Sequence, residues 1–146
     1  HKQMDQIRCG LFQQLTKDIA RITETGCKEV FLVGIGTVMG HDSATLRDKQ
    51  DWPNALREAY ESQEEIGWSQ VLFGRLSIRW EPLAHVSTTG QSSMRNSGWT
   101  RKIISLCWKF GLELWQTRNA LIHGPDKAVS LVDKQYTVRI IQAMYH

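Results

Sequence analysis

The stretch GWTRKIISLCWKFGLELWQTRNALI, residues 98–122, decides the fold class. Ile103, Ile104, Cys107, Trp108, Leu112, Trp115 and Ile122 recur along it at spacings of three, four and their sums, which is one apolar stripe of an α-helix. His123-Gly124-Pro125 then closes the helix, because glycine suits the left-handed cap and proline cannot continue the ladder. Upstream, residues 84–97 (AHVSTTGQSSMRNS) are polar and read as a surface loop. Downstream, Asp126 is a suitable N-cap for a final helix to Tyr145, with Val129, Val132, Tyr136, Ile140, Ile141 and Met144 as its stripe.

The first half of the chain adds further helical periods. Met4, Ile7, Leu11, Phe12, Leu15, Ile19 and Ile22 predict a helix over residues 3–23, with Thr25-Gly26 as its stop. Glu29–Met39 is a short, β-branched apolar run that fits a strand or a buried helical turn. Residues 41–50 are polar and read as a loop. Asp51-Trp52-Pro53 is a helix-start signature. The helix that follows carries Leu56, Ala59 and Tyr60, bends at Gly67, resumes with Trp68, Val71, Leu72, Leu76 and Trp80, and ends at Pro82. The expected fold is all-α: one helical bundle of four to five helices over residues 1–146, with room for one short strand. Leu72, Trp108, Leu112 and Trp115 are its expected core.

Composition limits the function classes. With 146 residues, 41% hydrophobic and 23% charged, the chain can enclose one core and is not a disordered or collagen-like polymer. The longest apolar run, residues 30–40, is about half a membrane span, and no basic segment precedes an apolar one at the start. The first residue is His1 rather than Met, so the chain is expected to be a piece of a longer one. Cysteines stand at 9, 27 and 107, an odd number without a CxxC pair. Buried reduced thiols in an intracellular protein, cytoplasmic or nuclear, are expected, with no metal and no cofactor. Gly34-x-Gly36-x-x-x-Gly40 resembles a dinucleotide-binding turn only superficially, since no parallel sheet or apolar helix follows it, and close packing at the glycines is the better reading. Glu61, Glu64 and Glu65 share one helical face without a matching His or Asp, which reads as a solvated surface.

Charge is unevenly spread. Residues 1–81 hold 10 Lys and Arg against 12 Asp and Glu, whereas residues 82–146 hold 8 against 3. No acid occurs between Pro82 and Leu112, where Arg95, Arg101, Lys102 and Lys109 lie. That pattern suits a polyanion such as RNA or DNA. Trp99 stands between the polar loop and Arg101-Lys102, which makes it the best candidate for an exposed aromatic contact to a base.

One further segment carries chemistry: Arg118-Asn119-Ala120-Leu121-Ile122-His123-Gly124. It resembles the Arg–x4–6–His signature of the HEPN superfamily, in which Asn often follows the Arg. The resemblance implies a helical bundle acting as a dimeric, metal-independent endoribonuclease, with Arg118, Asn119 and His123 as its catalytic set. The chemistry is coherent: the 2′-OH of RNA attacks the next phosphate, a His moves the proton and an Arg stabilises the added charge. Arg79/His85 and Arg139/His146 match the loose spacing too, and only Asn119 sets the third pair apart. On an ideal helix Arg118 and His123 point about 140° apart. His123 beside Gly124 equally suits a helix C-terminus, where a cation meets the negative end of the dipole.

A wider resemblance runs through Gln63-Glu64-Glu65-Ile66-Gly67-Trp68, Phe73-Gly74-Arg75-Leu76-Ser77, Trp80, Leu114-Trp115-Gln116-Thr117-Arg118-Asn119 and His123-Gly124. These strings resemble C-terminal segments of reverse-transcriptase-bearing retroelement polyproteins, best known in diatoms and related protists. The resemblance implies a noncatalytic accessory region that assists nucleic-acid binding or self-association, for instance as a homodimer. The HEPN-like ribonuclease is the alternative expectation.

Overall fold

Phe31, on the helix α2 (Thr25–Gly36), is the hub around which the first part of the chain folds. The computed structural model describes residues 2–84, 98–124 and 138–144, and among them every regular element is helical. In chain order these are α1 (Lys2–Ile22), α2, a 3-10 turn (Thr37–Met39), α3 (Leu46–Gln50), α4 (Asn54–Ile66), a second 3-10 stretch (Trp68–Phe73), α5 (Glu81–Ala84) and α6 (Trp99–His123). Residues 138–144 are also helical. The chain divides into two compact units, His1–Gly111 and Leu112–His146, with the boundary inside α6.

In the first unit the aromatic residues form the core. The Phe31 ring meets Trp68, Trp80 and Trp99 edge-to-face at centroid distances of 5.5, 5.1 and 5.4 Å. Such pairs add about 0.5–1.5 kcal/mol each beyond the apolar area they bury. Tyr60 extends the cluster, 5.2 Å from Trp68, and its hydroxyl accepts the Ala44 N–H at 3.0 Å. Gly34 lets this cluster close. A Cβ there would stand 1.9 Å from Cζ2 of Trp68, so α2 and the Trp68 ring touch only because the side chain is missing.

Gln63 is the polar pin of the same core. Fully buried on α4, it accepts the Ser77 N–H at 2.8 Å and the Trp80 indole N–H at 3.3 Å, and donates to the Arg75 carbonyl at 3.1 Å. One amide thereby satisfies the backbone of the irregular segment after Gly74.

α1 and α6 run antiparallel within this unit. Thr23 Oγ1 accepts the Trp99 indole N–H at 3.0 Å, and eleven residues further along both helices Phe12 meets Phe110 at 6.0 Å. Equal spacing on both sides fixes the direction, over about 16 Å of helix.

In the second unit, no residue of α6 from Leu112 to His123 is buried. Leu121 and Ile122 are 42% and 60% exposed, and Ile140 and Met144 of the 138–144 segment 44% and 75%.

The all-α expectation is met, and several details differ. Of the two readings of the apolar run the buried helical one holds, and it is longer than a turn: residues 29–36 lie in α2, which starts at Thr25, with Val30, Phe31, Gly34 and Ile35 buried, and residues 37–39 form the 3-10 turn. Thr25-Gly26 opens this helix instead of stopping the previous one, because the Glu24 carboxylate caps it by accepting the Cys27 N–H at 2.9 Å. The loop at 41–50 contains α3, nucleated by a reciprocal capping box between Thr45 and Asp48. Gly67, at φ 106°, ends α4 instead of bending it. Pro82 lies inside α5 and ends nothing, because a proline in a first turn forfeits no helical hydrogen bond. Leu72, Trp108, Leu112 and Trp115, expected in the core, are only partly buried. Of the loop predicted over 84–97, Ala84 is the last residue of α5 and residues 85–97 lie outside the described residues, as does most of the predicted helix from 126.

Candidate nucleic-acid interface

The N-terminal half of α6 is amphipathic. At 100° per residue its buried residues Trp99, Ile103, Cys107 and Phe110 share about 80° of arc. Arg101, Lys102, Ser105 and Lys109 occupy about 100° on the other side, and all four are exposed. The burial of Trp99 and its neighbours therefore fixes which way the cations face. Among the described residues the ion pairs are Arg21–Asp18, Lys49–Glu64 and Arg79–Glu58, so Arg101, Lys102 and Lys109 keep their charge uncompensated.

Two expected members of this interface do not join it. Trp99 is 2% exposed and commits its indole N–H to Thr23, so it is a core residue and not a stacking platform. The sequence placed it at the solvent border because the polar loop precedes it; Thr23, 76 positions away, is what draws it inward. Arg95 lies outside the described residues.

Glu81 sets where α6 begins. Gly98 has no side chain to cap the helix, and its φ of 64° is left-handed. The Glu81 carboxylate takes that role, accepting the Thr100 N–H at 2.9 Å and also the Thr100 hydroxyl. Neither Glu81 nor Thr23 was visible as a positioning residue, since both act over long sequence separations.

Charge is also uneven when sorted by element. α1 together with residues 99–111 of α6 carries seven Lys and Arg against Asp5 and Asp18. Residues 23–84, the rest of the described first unit, carry six against ten.

Arg118 and His123 are exposed, and Asn119 is half-exposed. α6 runs unbroken through all three, and Gly124 (φ 74°) closes it with its N–H on the Ala120 carbonyl at 2.9 Å. On this continuous helix Arg118 and His123 diverge by about 140°. Within one chain they do not face a common phosphate. Among the described residues Arg118 also forms no ion pair with Glu113.

Of the three free thiols, expected to be buried, Cys9 is exposed, and Cys27 and Cys107 are buried. Burial pushes the Cys107 thiol up to about 12 and, with the Glu24 charge adding to it, the Cys27 thiol likewise to about 12, so both are poor nucleophiles at neutral pH. Among the described residues no group of three or more His, Cys, Asp or Glu is placed to hold a metal ion, and no helix is long and apolar enough to cross a membrane. Glu61, Glu64 and Glu65 are exposed, with Glu64 held by Lys49 at 3.4 Å. No family model, curated protein or solved structure matches the chain.

Proposed function

We propose that the chain is a noncatalytic accessory domain, of the kind carried by retroelement polyproteins, that binds nucleic acid through the exposed side of α6. The observation that carries this reading is the arc of Arg101, Lys102 and Lys109, unpaired with acids and held outward by the buried side of the same helix. Lysine and arginine bind phosphates with little demand on sequence, and each neutralised phosphate releases counterions. A fluorescent 24-base-pair DNA duplex titrated at several salt concentrations tests it. The plot of log K against log salt is expected to lose about 0.9 in slope for each phosphate contact removed by Arg101→Ala, Lys102→Ala or Lys109→Ala. Unchanged affinity and slope in the triple variant overturn the reading.

Self-association is the second reading, favoured by the exposed Leu121 and Ile122 on α6. Light scattering at increasing concentration measures it directly. Incubation with RNA in EDTA addresses the ribonuclease alternative: the accessory reading expects intact RNA, and a cyclic-phosphate product lost in His123→Ala replaces it with the nuclease.

A further inference from the structure

Ser105 stands in the middle of the cations of α6. Arg101, Ser105 and Lys109 follow one another at four-residue steps, and all three are exposed. Each step is about 6 Å along the helix with about 40° of rotation, so the three form one slanted row about 12 Å long. No second element is needed to assemble the row, because one continuous helix holds all three residues. Lys102 lies beside it, also exposed.

Three hydroxyls occur on α6, and Ser105 carries the uncommitted one. The Thr100 hydroxyl is held by the Glu81 carboxylate, and Thr117 donates to the Glu113 carbonyl at 2.8 Å. Among the described residues the Ser105 hydroxyl has no partner. A helical serine either returns to the carbonyl one turn back or points outward. Ser105 does the second, and so leaves a donor between a guanidinium and an ammonium group. Two acids bound the row. In the first turn of the helix, the usual place for a phosphate, the Thr100 N–H is already given to Glu81 at 2.9 Å. Four residues beyond Lys109, the next position of the series is Glu113. An anion is therefore drawn to the flank of the helix between these acids and not to its start.

We infer that Arg101, Ser105 and Lys109 follow the phosphate backbone of a nucleic-acid duplex, with the Ser105 hydroxyl donating to a phosphate between those held by the two cations. This inference rests on the reading of α6 given above and adds to it a residue without charge. The side chains select the ligand. Arginine, lysine and serine contacts to phosphate oxygens fix a protein on the backbone and carry no sequence information. No aromatic side chain stands among the exposed residues of α6 from Trp99 to Gly111, so the bases of a single strand find no surface there to stack on. A duplex keeps its bases stacked inside and turns its phosphates outward. Recognition is thus of a duplex, whatever its sequence.

The test titrates the whole chain, at several salt concentrations, with two 24-base-pair DNA duplexes of unrelated sequence and a DNA single strand of the same length. Ser105→Ala is expected to weaken duplex binding about fivefold at every salt concentration, the loss of one hydrogen bond. The slope of log K against log salt is expected to stay as it was, because a neutral donor releases no counterion. Arg101→Ala/Lys109→Ala is expected to reduce that slope by about 1.8, two contacts at 0.9 each. Ser105 is exposed and alanine favours a helix, and circular dichroism verifies that the helix persists in each variant. If Ser105→Ala binds as the unaltered protein does, or changes the slope, while Arg101→Ala/Lys109→Ala loses affinity, the inference falls and the α6 reading stands. If the cation variant is unaffected, both fall. A single strand bound as tightly as the duplexes, or one duplex preferred about tenfold over the other, overturns the assignment of the ligand.

Discussion

The two halves of α6 have the same kind of sequence and different surroundings. From Trp99 to Gly111 the helix buries Trp99, Ile103, Cys107 and Phe110, with Trp99 against Thr23 and Phe31 and Phe110 against Phe12; from Leu112 to His123 it buries nothing, although Leu112, Leu114, Trp115, Leu121 and Ile122 follow on. Periodicity therefore identifies a helix and its apolar stripe, but coverage of the stripe requires a partner at the right height. In the first half the partners are specific: Phe12, Thr23 and Phe31 each meet an α6 side chain. Stability is expected to be concentrated accordingly.

A paired truncation breaks or sharpens that contrast most strongly. Trp99→Ala removes a buried ring, an edge-to-face contact and a hydrogen bond, and is expected to lower unfolding stability by about 3–5 kcal/mol in urea titrations. Trp115→Ala, in the half-covered segment, is expected to lower it by about 1 kcal/mol or less. Equal losses would mean that the second half is as tightly packed as the first. Next in size is Gly34→Ala, where the new methyl must displace the Trp68 ring from its place beside Phe31. Overpacking of this kind costs about 1–3 kcal/mol, and the near-ultraviolet circular dichroism of the indoles is expected to change with it. A stable Gly34→Ala protein with an unaltered indole signal would show that the contact is looser than described.

A pH dependence gives a further comparison, between two buried positions, one in each of the helices α2 and α6. Cys27 and Cys107 both have folded-state thiols raised from 9.0 to about 12 by burial. Below pH 9 both states keep the proton and stability is unaffected. Between about 9 and 12 the unfolded chain loses protons that the folded chain retains, so stability falls as pH rises. The urea midpoint is expected to drop across that window and to drop less in Cys27→Ala/Cys107→Ala. A slope that is the same with and without the thiols would place them in contact with water.

Local signals were the legible part of this fold. The α1 and α6 periods, the Pro53 start and the Gly124 stop each depend on a few adjacent residues, and each appears within a residue or two of its expected place. The features that went unread depend on distance. Glu24 caps α2 because the chain turns tightly after Ile22, so a pair that looks like a breaker, Thr25-Gly26, becomes a first turn. Trp99 reads as a solvent-border residue until Thr23 and Phe31 surround it. The candidate interface divides the same way. Arg101, Lys102 and Lys109 are legible as an acid-free stretch, whereas Glu81, which fixes where their helix begins, acts from 19 residues upstream.

The Glu81 cap on α6 has a consequence for the order of folding. The first turn of this helix is completed by a carboxylate 19 residues upstream, on α5, and not by a neighbour in sequence. Helix nucleation is the slow, unfavourable step, and here its help arrives only after a loop has closed. An excised peptide of residues 98–124 lacks this cap and is expected to fray at its N-terminal end, and in the intact chain that end is expected to settle only once α5 has docked. Among the described residues the longest helix takes its first turn from the shortest α-helix.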